Sequence, residues 1–311
     1  MPAKHVKRDL LSIADLGKDL LPILTRARRL KAERRRGLIR PTLRHKNAAL
    51  IFEKPSTRTR ASFEVGFNDL GAHALYMSPK DLQLGRGETI ADTARVLSRY
   101  VDAIVYRAFR HQDEVELARW ASIPVINALD DLEHPCQVVS DLLTLSEKWK
   151  DGYAGHRLAW VGDGNNVLHS LILGCAMVGL DLSCATPDGY SPDPTIVSQG
   201  QALARKSEAH LDFYSDPVAA VKGADAIYTD VWVSMGEEAE EAAREKAFAG
   251  FQVNAALVAH AKPGAWVMHD LPAHRGLEIT DEVIDGPQSI VWDQAENRLH
   301  AQKAILEKLL G

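Results

Sequence analysis

Apolar residues recur along this chain with two different spacings. Short apolar runs of strand length alternate with longer stretches in which apolar positions return every three or four residues. Ala48 to Phe52 is one such run, halted before Pro55, and it predicts a buried strand. Further strands are predicted at Ala72 to Met77, Asp102 to Tyr106, Ile123 to Asn127, Arg157 to Val161, Asp181 to Ala185, His210 to Tyr214, Ala226 to Thr229, Trp266 to His269 and Ile290 to Trp292. Helical spacing covers Leu10 to Lys31, started by Ser12 with Asp15 and ended by Arg34 to Gly37. It returns behind Ser56 in Phe63, Phe67 and Leu70, then at Glu88 to Tyr100 and His111 to Trp120. Pro135 opens another helix, lined by Val138, Leu142, Leu145 and Trp149. Val167 to Val178 and a last helix from Ala295 to Leu310, with Arg298 in its first turn, complete the main set. Glu237 to Lys246 is charged almost throughout and predicts a solvated helix.

Strands alternating with helices imply parallel sheets covered on both faces, an α/β fold. A loop from Gly152 to Gly155 separates two rounds of alternation. The reading is two doubly wound domains, residues 1–150 and 151–293, with the C-terminal helix 294–311 packing back on the first. Ligands of such sheets sit outside the carboxyl ends of the strands.

Candidate chemistry falls at those ends. Lys54-Pro55-Ser56-Thr57-Arg58-Thr59-Arg60 carries hydroxyls and guanidiniums onto a strand-to-helix turn, with Ser56 at the N-cap. Free backbone N–H groups, the positive helix end and forked arginines together favour a phosphate. Arg107 stands at the end of the 102–106 strand. His134 and Gln137 share one edge of the first turn of the next helix. Asp230, Ser234 and Gly236 follow a strand and suit a loop closing on a cationic substrate.

Composition narrows the function. The 311 residues are 46% hydrophobic and 25% charged, an ordinary globular balance. A net charge of −5 argues against nucleic acid as partner. Cys136, Cys175 and Cys184 lie far apart without a Cys-x-x-Cys pair, which fits a reducing compartment and no structural zinc. No apolar run approaches a membrane span, so a cytoplasmic protein of enzyme size is expected, and no ligand cluster suggests a metal or organic cofactor.

Five stretches in order resemble the aspartate/ornithine carbamoyltransferase family, and its ornithine branch most of all. Ser56-Thr57-Arg58-Thr59-Arg60 is similar to the family's carbamoyl-phosphate loop, and His134-Pro135-Cys136-Gln137 to its second signature. Asp230 with Ser234-Met235-Gly236 resembles the loop of the ornithine branch, and Ala295-Glu296-Asn297-Arg298 the late arginine motif. Met268-His269-Asp270-Leu271-Pro272 resembles a His-Cys-Leu-Pro segment, with Asp270 in place of cysteine. The resemblance implies carbamoyl phosphate held by Ser56, Thr57, Arg58, Thr59, Arg107, His134, Pro135, Cys136, Gln137, Asp270, Leu271 and Arg298. Gln83 would reach the site of a neighbouring subunit in a homotrimer. It implies ornithine held by Asn166, Asp230, Ser234 and Met235, with catalysis resting on Arg107, His134, Asp230 and Asp270.

The Gln137 side-chain oxygen and the Leu271 carbonyl are expected to accept from the carbamoyl NH₂. Asp270 has three readings: a second anchor for the amine, a protonated donor beside Asp230, or a side chain turned away. Other acceptors, such as putrescine or an acylated ornithine, and a ligand-binding pseudoenzyme, are the alternatives. Aspartate fits poorly, because Asp230 would repel it. Gly162-Asp163-Gly164 also opens a helix after a strand, as a dinucleotide fingerprint does, but Val167 stands where the third glycine belongs.

Overall fold

A computed structural model describes residues 7–78, 82, 87–233 and 238–311 of the chain. These divide into two compact units, residues 1–143 with 297–311 and residues 144–296. The expected Gln83, Ser234 and Met235 lie outside the described residues.

In the first unit, Ser12 and Asp15 form a reciprocal cap: Ser12 Oγ accepts the Ala14 amide and Asp15 accepts the Ser12 amide at 2.8 Å. The single helix expected here is divided. Gly17 at φ 47° kinks the 3-10 segment Ile13–Asp19 from within, and α1 (Leu20–Arg35) follows it. The chain continues through β1 (Asn47–Phe52), α2 (Thr57–Asp69), β2 (His73–Met77), α3 (Ile90–Leu97), β3 (Ala103–Arg107), α4 (His111–Trp120), β4 (Val125–Leu129) and α5 (Pro135–Lys148). The sheet is parallel, in the order β2-β1-β3-β4. Strand β3 is buried throughout, as a strand covered on both faces must be.

The second unit repeats the scheme with β5 (Arg157–Val161), α6 (Asn166–Val178), β6 (Asp181–Ala185), α7 (Pro194–Ser207), β7 (Leu211–Tyr214), α8 (Pro217–Val221), β8 (Ala226–Thr229), α9 (Glu241–Phe248), α10 (Ala255–Val258), β9 (Trp266–His269) and α11 (Asp281–Ile284). Its parallel sheet runs β7-β6-β5-β8-β9. In both sheets the strand order reverses direction at an internal strand, the mark of double winding.

Two expected elements differ. Residues 290–292 do not form a strand: Ile290 N–H bonds Val267 O at 2.9 Å, and Val291 already opens α12 (Val291–Leu310). Arg298 therefore lies inside α12 rather than in its first turn. In the described part of the charged helix expected at 237–246, α9 carries one buried charge, Arg244, among exposed neighbours. The C-terminal part of α12 belongs to the first unit. Lys303 and Arg34 both reach the buried Asp69, at 2.8 and 3.0 Å, and Lys31 reaches Asn297 Oδ1 at 2.7 Å.

Candidate active site

The first constellation forms where β1 and β3 end side by side, with Phe52 paired to Arg107. Ser56 has extended dihedrals and its hydroxyl accepts the Thr59 amide at 3.3 Å, so α2 starts where the sequence places its cap. Arg60 turns away from that start: its guanidinium lies 3.5 Å from the Tyr76 ring centroid and bonds Glu64. Arg107 is buried at the end of β3, where the register with β4 shifts. Its neighbourhood is held by Glu53, which accepts from the Tyr106 hydroxyl at 2.9 Å and the Phe109 amide at 2.7 Å.

Arg298 organises the centre of this constellation. Its Nη2 donates to Thr59 Oγ1 at 2.9 Å and its Nη1 to Gln137 Oε1. Gln137 Nε2 donates to the buried Asp141 at 2.8 Å. A carboxylate can only accept, so Asp141 fixes which end of the Gln137 amide faces Arg298. The expected free Gln137 oxygen is thus already an acceptor, with one further lone pair to offer. Thr59, accepting from Arg298, keeps its own O–H to donate.

His134 is buried just ahead of α5. Burial first, then the charges of Arg298 and Arg107, push its imidazole well below its ordinary pKa. It is a neutral ring in a positive field. Cys136 is also buried, and that desolvation pushes its thiol up to about 12. It donates to the Asn127 carbonyl at 3.3 Å, so the side chain faces inward and is no nucleophile.

The second constellation lies at the ends of β5, β8 and β9. Asp230 follows β8; its Oδ1 accepts the Val231 amide at 2.7 Å and its Oδ2 accepts Asn165 Nδ2 at 2.8 Å. Asn165 also caps α6 through the Val167 and Leu168 amides. Asn166 is the first residue of α6 and is half-buried. Asn165 was missed in favour of its neighbour, although an Asn directly before a helical run is a legible cap signal.

After β9, His269 Nδ1 accepts the Leu271 amide at 2.9 Å and Nε2 faces Glu278 at 3.0 Å. This bond set requires the proton on Nε2. Leu271 sits at φ 63°, unusual for a bulky residue and frequent at ligand sites, and its bond to Pro272 is cis. Possible ligand atoms of Asp230, His269 and Asp270 lie within 4.8 Å of one another. Both His269 nitrogens are engaged, so the imidazole has no lone pair for a metal. What remains is a pair of neighbouring carboxylates, which suits an organic cation.

The Gly162-Asp163-Gly164 turn has a different use from a dinucleotide loop. A Cβ on Gly164 would stand 2.4 Å from Pro192 N, so the chain itself covers the turn. Asp163 pairs with buried Arg244 at 2.9 Å, and Arg244 also donates to the Trp232 carbonyl.

Comparison with known proteins finds two family matches along the chain. The model of the aspartate/ornithine carbamoyltransferase carbamoyl-P binding domain matches residues 8–147, and that of the Asp/Orn binding domain matches residues 154–309. The chain belongs to the aspartate/ornithine carbamoyltransferase family. Among the family's members, the ornithine carbamoyltransferase of Archaeoglobus fulgidus is 56% identical over 305 residues, spanning 98% of each chain. That of Methanoculleus marisnigri is 54% identical over 307 residues, again 98% of each. The solved ornithine carbamoyltransferase of Pyrococcus furiosus superposes with a TM-score of 0.95 at 53% identity, covering 98% of both chains. Within the carbamoyltransferase match, Arg298 falls in the range of the Asp/Orn model while its side chain is bonded in the first unit. Among the described residues, no helix is long and apolar enough to cross a membrane.

Proposed function

We propose that the protein transfers the carbamoyl group of carbamoyl phosphate to the δ-amine of L-ornithine, giving L-citrulline and phosphate. The observation that carries this is the Arg298 bridge between Thr59 and Gln137. It joins a helix start suited to phosphate with an amide suited to a carbamoyl NH₂. Ser56, Thr57, Arg58 and Thr59 hold the phosphoryl oxygens, with Arg298 countering the charge that grows as phosphate leaves. Neutral His134 and Arg107 donate to the carbamoyl oxygen. The second lone pair of Gln137 Oε1 and the Leu271 carbonyl accept from the carbamoyl NH₂. Pro135 and Cys136 serve as the scaffold of that turn, Cys136 through its inward bond.

Asp230, Asn166, Ser234 and Met235 bind ornithine, and Asn165 fixes the carboxylate of Asp230. The amine nitrogen, entering without its extra proton, attacks the carbamoyl carbon. The C–O bond to phosphate breaks, and phosphate takes up the proton the new amide loses. Catalysis is positioning and fixed electrostatics, without a covalent intermediate. Two neighbouring carboxylates, Asp230 and Asp270, favour a cationic acceptor over aspartate. Together they also favour the charged amine, so the rate should rise with pH until the amine is neutral.

The test is an assay of citrulline and phosphate formation with ornithine, putrescine, N-acetylornithine and aspartate side by side. Ornithine should win by at least tenfold; a preference for putrescine, or binding of both substrates without turnover, would sink the assignment. Asp270→Cys should move the pH–rate profile, and an identical profile would remove Asp270 from the chemistry. The reading carries a homotrimer in which Gln83 serves a neighbouring subunit, and a cytoplasmic setting. Light scattering of the purified protein tests the trimer.

A further inference from the structure

His134 is delivered by the turn at residues 130–133, and that turn is built around one buried carboxylate. Asp130 Oδ1 accepts the amides of Leu132 and Glu133 at 2.8 and 2.7 Å. Its own amide donates to the Glu133 carbonyl at 3.1 Å, closing the turn one residue before His134. Asp130 Oδ2 accepts Asn127 Nδ2 at 2.8 Å and faces His111 Nδ1 at 2.6 Å. His111 is the first residue of α4, and its amide is held by Asp131 at 2.7 Å. The same turn is tied on its other side, where Glu133 accepts the Ile13 amide at 3.1 Å. Asp130 and Glu133 are buried, whereas the His111 side chain keeps 26% of its surface in solvent.

We propose that Asp130, clasped by His111, is a positioning residue for carbamoyl transfer: the pair sets the turn that presents His134 to carbamoyl phosphate. The proposal rests on the carbamoyl-transfer reading and extends it to residues that touch no substrate. A carboxylate suits this place, because the Leu132 and Glu133 amides and Asn127 Nδ2 all donate to it and His111 Nδ1 faces it. An amide would turn an N–H toward one of them.

Proton chemistry gives the arrangement a signature. The Asp130 hydrogen bond, with the charges of Asp130, Glu133 and Asp131, holds the His111 imidazole above its ordinary pKa. Glu114, fully buried on the same helix, is pushed well above the carboxylate range by burial and then by Asp130, Asp9 and Glu133. Burial thus disfavours a charge on Glu114, while the bond to Asp130 favours the charged form of His111. When His111 loses its proton the charge-assisted bond becomes a neutral N–H bond, which is weaker but still formed. Hold on the turn should thus loosen, not vanish, as pH rises through the raised pKa of His111.

The test uses the full chain. Asp130→Asn should raise KM for carbamoyl phosphate about tenfold and leave KM for ornithine within about twofold, the expected scale for a lost charged hydrogen bond. His111→Ala should show a smaller rise in the same parameter, and His111→Gln, which restores an N–H, should recover most of it. The wild-type KM for carbamoyl phosphate should climb with pH more steeply than that of His111→Gln. Histidine imidazole NMR, with the His134 signal assigned by His134→Asn, should show that signal displaced in Asp130→Asn. A lower melting temperature with unchanged KM, pH profile and His134 signal would overturn the proposal. If Asp130→Asn does not fold, the two His111 variants decide, since their site is partly exposed. Absence of citrulline from the wild type would sink the function reading alone, and the His134 signal would still decide the positioning claim.

Discussion

Arg298 in the first unit and Arg244 in the second are both nearly sealed from solvent, at 3% and 7% exposure. They are held in different ways. Arg244 is bonded to a carboxylate, Asp163, with Glu240 at 3.3 Å, so its charge is answered within the chain. Arg298 bonds a hydroxyl and an amide oxygen, and its field is still felt by His134 and Cys136. A buried cation paired with an anion serves as a clamp. One that also bonds a hydroxyl and an amide oxygen beside a helix start is placed to act on an incoming anion. On the carbamoyl-transfer reading proposed above, the same residue type, equally buried, serves structure in one unit and chemistry in the other.

The strongest way to break this contrast is Arg298→Met, which should lower citrulline formation roughly 100- to 1,000-fold. Its urea midpoint should change less than its rate, and equal losses in both would erase the distinction. Next comes Arg244→Met. Stranding Asp163 should cost about 3 kcal/mol in urea unfolding and leave KM for carbamoyl phosphate near wild type. Adding Asp163→Leu should return part of that stability, and failure to do so would mean Asp163 has another anchor. Asp230→Asn sharpens the second unit's side: KM for ornithine should rise about tenfold, with carbamoyl phosphate unaffected.

The smallest effect is a pair of opposed pH dependences in folding stability. His134 has a lowered folded pKa, so its contribution is present above pH 6.5 and is lost as pH falls below that toward the folded value. His111 has a raised one, so its contribution is present below 6.5 and is lost as pH rises through the folded value. Difference curves of stability against pH for His134→Asn and His111→Gln should slope in opposite directions. Parallel curves would show that burial and ion pairing are not what separates the two rings.

Much of the alternation was legible because strand and helix spacings are unmistakable where burial is complete. The predicted bounds of α4, β5, β6, β8 and β9 coincide with the observed ones. Ser56 and the Ser12–Asp15 cap announce their helices by local hydrogen bonding, which sequence can express. Gly17 looked like one more helical residue, since nothing local declares a positive φ. The apolar triplet at 290–292 has strand composition, yet only a single bridge to β9 forms before α12 begins. At the site, residue types at strand ends were readable and side-chain partners were not. Nothing near Gln137 says that Arg298 will occupy its oxygen, because the two are 161 positions apart. Arg244 looked like one charge among many on a polar helix, and only Asp163, 81 positions away, shows otherwise.

All three cysteines of the chain are buried, and the segment where the family pattern has a thiol carries Asp270 instead. The protein therefore presents no ready thiol to alkylating agents, and its turnover should be indifferent to them. It also follows that a cysteine introduced at the surface would be the sole fast-reacting thiol. Spin labels or fluorophores could then be attached at one chosen position without first stripping the native residues.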